Sequence, residues 1–235
     1  MAPMTGRAIA QGAGQGIGRL MNTGIGTEIL YSFIIIACSL MIYFGTRELY
    51  SLTSHKGIKY FRQSFLFFAL AYFFRSFIKI ILFYFEISEL RTFLPLFGSA
   101  TLFIFIYFSA MAIFYLLYSV MWKKWKWKST IYILHAAALA IAIITSIFKN
   151  PIIYLLINIL LFAFIAYTVY ISYKQSKKKK SQNLYIIYLL LFVFWILNII
   201  DILIPNIFQL FQLLIYLASL SIFLLIFYKV VRKTG

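Results

Sequence analysis

From residue 29 onward, long apolar runs alternate with short polar or basic segments. The runs lie at about 29–44, 61–85, 97–121, 130–147, 152–172, 184–204 and 207–228. Roughly 20 apolar residues cross a bilayer as a helix, so the pattern predicts seven membrane spans. The turns between them are recognisable. Lys149-Asn150-Pro151 and Pro205-Asn206 are tight, and KQSKKKKSQN separates spans five and six. The three prolines beyond the tail, Pro95, Pro151 and Pro205, all fall at span ends, and no glycine or proline lies deep within a span. Broken mid-membrane helices, common in carriers, are therefore not expected. The predicted fold is an all-α integral membrane bundle of seven helices occupying 27–235, preceded by a Gly-rich tail at 1–26.

That tail holds seven of the eleven glycines. Its QGAGQGIG segment follows no strand and lacks a phosphate-loop lysine. A flexible tail is expected, the alternative being a short surface-lying helix with Ile9, Ile17, Leu20 and Met21 on one face. No signal-peptide run precedes Glu28, so no cleaved leader is expected.

Composition agrees with the pattern. Of 235 residues, 64% are hydrophobic and 11% charged, whereas soluble domains are nearer half apolar and a quarter charged. The formal net charge is +17. In a soluble chain this would point to nucleic acid; here its distribution points to lipid. The connections after spans one, three and five and the C-terminal end hold sixteen of the 22 lysines and arginines. The opposite side holds Arg7, Arg19, Arg91 and Lys149. The positive-inside rule then puts the N-terminus outside and the C-terminus in the cytoplasm. The basic loops, including Trp122, Trp125 and Trp127 alternating with lysines, would lie against anionic lipid. A multi-pass protein of the cell membrane is expected, with no nucleic-acid partner.

An internal match joins spans three and seven. IYFSAMAIFYLLYSVMWKK (106–124) aligns with IYLASLSIFLLIFYKVVRK (215–233), with Ile106/Ile215, Tyr107/Tyr216, Ile113/Ile222, Phe114/Phe223 and Leu116/Leu225 identical. It predicts a 3+1+3 repeat with span four as linker. That layout resembles the eukaryotic sugar transporters called SWEETs. Their proline-glutamine signature is missing from spans one and five, so neither residues nor substrate carry over. The outline is also similar to microbial rhodopsins, which hold retinal on a lysine midway along the seventh helix. Here Lys229 lies at the cytoplasmic end, and retinal is not expected.

The candidate site begins with Arg75 and Lys79, two cations inside span two. Charges at membrane depth usually face a bundle interior or a wet cavity. Helical spacing aligns Ser64, Phe68, Ala71, Arg75, Lys79, Leu82 and Glu86 in a stripe expected to point inward. On span six, Asn198 and Asp201 share a face, and Asp201 is the one acid well inside a span. At 1.5 Å rise per residue, Arg75 lies roughly 3 Å outward of its span's centre, Lys79 roughly 9 Å and Asp201 about 10 Å. An ion pair of Asp201 with Lys79 or Arg75 is expected. Gln209, Gln212, Tyr216 and Ser219 of span seven and Tyr154 and Asn158 of span five add outer polar groups. Glu28, Tyr31 and Ser32 of span one do the same. The inner half reads as mostly apolar, apart from His135, Tyr167, Thr168 and Tyr170.

The set Arg75, Lys79, Asp201, Asn198, Gln209, Gln212, Tyr216 and Asn158 has two main readings, beside the plainer one that Lys79 merely snorkels outward. One is a structural network that fixes helix register. The other is an outward-facing, net-positive pocket for a small anionic ligand. His135 reads as a satisfied interfacial histidine and Cys38, the one cysteine, as a buried small hydrophobe. No metal spacing, cofactor motif or nucleophile–base arrangement occurs, so the expectation is a non-enzymatic protein. It would act as a receptor-like subunit, with a small-solute transporter or a structural subunit of a membrane complex as alternatives.

Overall fold

The computed structural model describes residues 25–84, 94–125, 129–148, 150–179, 183–203 and 209–234. The tail at 1–24, Glu86 and Glu89 lie outside these residues, as do the side chains of Glu28, Lys79, Asp201, Gln209 and Gln212. The described chain is all helical: α1 Ile25–Thr53, α2 Lys56–Tyr84, α3 Leu94–Met121, α4 Thr130–Phe148, α5 Pro151–Lys179, α6 Asn183–Leu203 and α7 Gln209–Thr234. Five of these, α1, α3, α4, α5 and α7, carry stretches long and apolar enough to cross a membrane. The architecture is a helical membrane bundle.

Helices are the physical outcome because a bilayer core offers no water to backbone groups. Several span side chains that carry hydroxyls bond to their own helix. Thr46 donates to the carbonyl of Ile42 (2.7 Å), Ser76 to that of Tyr72 (2.8 Å) and Thr168 to that of Phe164 (2.8 Å). The tight turn before α5 works as a cap. Asn150 Oδ1 accepts from the Ile152 amide at 2.9 Å, and Pro151 fills the first helical position, where its missing N–H costs nothing.

Two connections differ from the sequence expectation. The basic segment after span one is helical almost throughout, and only Ser54 and His55 separate α1 from α2. Ser54 closes α1 in the left-handed region (φ 47°), its amide bonded to the Tyr50 carbonyl at 2.8 Å. Likewise α5 runs on to Lys179 through the first of the lysines. Charged residues are good helix formers once they leave the apolar zone, so helix length exceeds span length.

Among the described residues, α1 packs on α2, α2 on α3, α3 on α5, α5 on α6, α6 on α7, and α7 returns to α1. This closes a ring of six helices. Helix α4 packs on α3 and, less extensively, on α5. Its buried positions, Thr130, Leu134, Ala138, Ala142 and Thr145, form one narrow stripe. Exchanging α1, α2 and α3 with α5, α6 and α7 leaves the order of ring neighbours unchanged, as a 3+1+3 repeat requires. Apart from Tyr216, the positions buried in the α7 segment are also buried in the aligned α3 segment, where residues 109–121 are buried on every side. Ile106, Ala110, Phe114, Leu117 and Met121 are buried, and so are Ile215, Ser219, Phe223, Ile226 and Val230 at the matching positions.

Side chains fill the ring's centre. Phe223 meets Phe65, Phe68 and Phe194 edge-on, and Phe61 meets Tyr188 at 6.1 Å. Helices α2 and α6 thus touch across the ring through long aromatic side chains. The described part of the expected inward stripe of α2 is in place: Ser64 and Ala71 are fully buried, Phe68 nearly so, and Arg75 half-buried, while the Lys79 and Leu82 side chains and Glu86 lie outside the described residues.

Candidate functional site

At the end of the ring away from the lysine-rich connections, four helices bring together Tyr31, Tyr72, Arg75, Asn198 and Tyr216. Tyr31 of α1 stacks on Tyr216 of α7, with centroids 4.6 Å apart and planes 16° apart. Tyr31 also meets Tyr72 of α2 edge-on at 6.0 Å. The Tyr72 hydroxyl donates to Asn198 Oδ1 of α6 at 3.1 Å, while Asn198 Nδ2 donates to the Phe194 carbonyl at 2.9 Å. Three residues further along α2, the Arg75 guanidinium carbon lies 5.9 Å from the Tyr72 ring centroid and 5.6 Å from that of Phe105 of α3. Both distances are within cation–π reach. Ser32 and Ser219 are buried on the same helices. The described part of the cluster is therefore packed aromatic surface carrying one cation and one amide.

Two contacts across the ring fix the relative level of α2 and α6. Phe61 meets Tyr188, and Tyr72 meets Asn198. Numbering rises in the same direction on both, so the helices are parallel. Position 201 then lies level with position 75, a helical turn away from the level of 79. The depths read from the sequence paired 201 with 79 because they centred every span on one plane. Helix α2 has 29 residues and α6 has 21, and their centres do not coincide. The side-chain partners expected for Lys79, Asp201, Gln209 and Gln212 lie outside the described residues.

The other expected members separate. Tyr216 joins the cluster through Tyr31. Asn158 sits in the α5–α6 seam. Its Nδ2 donates to the Tyr154 carbonyl of its own helix at 2.8 Å, and its backbone carbonyl accepts from Trp195 Nε1 at 3.4 Å. The side-chain amide is thus spent within α5, and the backbone carbonyl of Asn158 makes the link to α6. His135 of α4 has both ring nitrogens engaged by α3, Nδ1 with the Tyr107 hydroxyl at 2.8 Å and Nε2 with the Tyr115 hydroxyl at 3.2 Å. A neutral imidazole offers one donor and one acceptor, so one tyrosine donates and the other accepts. This pins α4 to α3.

Sequence reasoning missed the polar content of the lysine-rich end. Ser119 of α3 and Tyr188 of α6 share a 2.6 Å hydroxyl–hydroxyl bond, and Tyr188 is among the largest fully buried side chains. Gln175 Nε2 reaches across to the Val120 carbonyl at 3.2 Å. A tyrosine in an apolar run reads equally well as an interfacial anchor, and nothing in its neighbours marks it as central. Tyr72, the hub of the outer cluster, was missed for the same reason.

A protein from Archaeoglobus fulgidus described as uncharacterized is 31% identical to this chain over 134 residues, 56% of this chain and 59% of that protein. The chain thus covers less than two thirds of that relative's length. No protein-family model matches the chain. No solved structure matches it. Among the described residues no group of three or more histidine, cysteine, aspartate or glutamate side chains is placed to hold a metal ion. The described side chains of the outer cluster offer a cation, ring faces and an amide.

Proposed function

We propose that the protein is a multi-pass protein of the cell membrane, N-terminus outside, that works by binding and not by catalysis. It recognises a small anionic ligand, or the acidic group of a partner, at the Arg75 cluster, in the manner of a sensor or receptor subunit. The observation that carries this reading is the placement of Arg75: a half-buried guanidinium set against the rings of Tyr72 and Phe105. Ring faces stabilise a partly desolvated cation, and the guanidinium fork matches a carboxylate. Asp201, level with Arg75 by helix register, is the residue we assign as its resting counter-ion. An arriving carboxylate would compete for the same cation.

The test is ligand-dependent thermal stabilisation in nanodiscs, with acetate, benzoate and glutamate as probes. At least one should stabilise the protein saturably, and Arg75→Gln should abolish the effect while Arg75→Lys keeps part of it. If none of the three stabilises the wild-type protein, or Arg75→Gln responds as wild type does, the reading is wrong. A transporter is the second reading, favoured by the exchange of α1–α3 with α5–α7 in the neighbour order, since many carriers are built from repeats. Uptake of the stabilising carboxylate into proteoliposomes would decide for it.

A further inference from the structure

The lysine-rich end of the ring contains a cavity of about 150 Å³ where α1, α2, α3, α6 and α7 converge. Leu49, Ile58, Phe61, Ile187, Tyr188 and Val230 supply its apolar wall. The polar atoms in that wall are already engaged. Thr46 donates to its own helix at 2.7 Å, and Ser119 and Tyr188 bond to each other at 2.6 Å. Water in a cavity needs two to four polar partners, whereas an apolar void of this size accepts a hydrocarbon group as large as benzene. The interior is thus suited to hydrocarbon.

The chain around the cavity has the opposite character. His55, exposed, and Gly57, buried, also line the cavity, and exposed Lys56 stands between them in sequence. Arg47, also exposed, follows the lining residue Thr46, and half-buried Lys229 precedes the lining residue Val230. Lys123 Nζ lies 5.3 Å from the Trp122 ring centroid, and Trp122 packs edge-on to His55 at 5.1 Å. Glu48 is the one acid in the sequence near this level; the other four acids are at Glu28, Glu86, Glu89 and Asp201. None of these four cations lines the cavity itself; they stand beside lining residues in sequence or through Trp122, and against one acid they give its surroundings a net positive charge. Basic pockets between spans on the cytoplasmic side suit anionic head groups.

We propose that this cavity is a binding site for an anionic amphiphile. Its hydrocarbon end enters between Phe61, Ile187, Tyr188 and Val230, and its acid group stays at the mouth against Lys56, Arg47 and Lys229. A free inorganic anion finds no polar wall inside, and a neutral hydrocarbon gains nothing from the rim. A membrane lipid and a free long-chain acid share the required chemistry, so the test carries both. The site is separate from the Arg75 cluster and does not depend on the reading given to it.

The experiment uses the full chain in phosphatidylcholine nanodiscs. One arm adds dioleoyl phosphatidylglycerol and counts retained lipid by native mass spectrometry. The other titrates sodium decanoate, with decanol as the uncharged control, and follows the melting temperature. Retained phosphatidylglycerol identifies a lipid ligand, and saturable decanoate stabilisation identifies a free acid. Ile187→Phe or Val230→Phe fills the void without changing charge and should weaken the positive arm at least about tenfold. Lys56→Gln with Lys229→Gln, at the rim, should weaken it several-fold. Decanol should produce no comparable shift. Either probe binding unchanged in a folded cavity-filling variant overturns the proposal. So does decanol matching decanoate, or neither anionic probe binding at all. If both filling variants fail to fold, the rim variant decides: undiminished binding refutes the site.

Discussion

The two ends of the six-helix ring solve opposite problems. At the outer end a cation lies inside an apolar run, and the bundle answers with dense aromatic packing. Tyr31, Tyr72 and Tyr216 are all nearly inaccessible, and ring faces stand beside Arg75. At the lysine-rich end the charges remain at the rim, and the interior holds a hydroxyl pair and a void. A charge at depth must be surrounded by polarisable or polar groups to offset lost hydration. Where the charges stay in the headgroup zone, that requirement lapses and a cavity survives. The outer end should therefore be intolerant of lost volume, and the lysine-rich end intolerant of added volume at its one close approach.

Four substitutions test this contrast, taken from the largest expected effect to the smallest. Tyr72→Ala removes the ring that touches Tyr31, Arg75 and Asn198 together. Truncating a buried aromatic costs about 3–5 kcal/mol, and detergent-solubilised protein should unfold at a markedly lower denaturant concentration. An Ala variant as stable as wild type would show the outer cluster to be loosely packed. Gly57→Ala probes the other end. A β-carbon there would lie 2.8 Å from the Ser119 carbonyl oxygen and 3.0 Å from Trp122 Nε1. Neither the backbone oxygen nor the indole packed on His55 yields easily, so overpacking of about 1–3 kcal/mol is expected, read as a lowered melting temperature.

Tyr188→Phe deletes one member of the buried Ser119–Tyr188 pair and keeps the ring. Loss of one such bond costs about 1 kcal/mol, and a double-mutant cycle with Ser119→Ala should show that the two effects are coupled. Additive effects would mean that the 2.6 Å contact carries no energy. The smallest effect is expected for Arg75→Lys, which keeps the charge at depth but changes a planar cation for a compact one. A lysine at the same depth keeps a cation against the rings, so stability should fall by only a fraction of the roughly 2 kcal/mol that a desolvated cation–π contact is worth, while Arg75→Gln abolishes any carboxylate response. Equal behaviour of the two variants in binding would remove charge from the account of the outer end.

Much of this contrast could be anticipated from residue order, and part could not. The inward face of α2 was legible because Ser64, Phe68 and Ala71 recur at helical spacing among bulkier residues. The alignment of α3 with α7 was legible because their segments repeat identities such as Phe114/Phe223, but that α3 is buried on every side over 109–121 was not. Asn158 was a candidate by type alone, and the structure spends its side-chain amide on the Tyr154 carbonyl of its own helix. The basic connection after span one read as loop, since charge ends an apolar run without ending a helix. Tyr188 and Ser119 were not legible, because a hydroxyl in an apolar run looks the same whether it meets a partner or the headgroup zone.

By itself, the sequence determined that this chain is a set of lipid-solvated helices, that one turn falls at Asn150-Pro151, and which face of α2 points inward. Those properties are local: apolar length, cap residues and a period of 3.6 are written within each segment. Tertiary structure alone decided that the ring closes α7 onto α1, that position 201 stands level with 75, and that a cavity opens beside Gly57. Each depends on the rotation and axial shift of one helix against another. Those are set by how large side chains interlock across the bundle, and hydropathy does not distinguish a phenylalanine that meets lipid from one that meets Phe223.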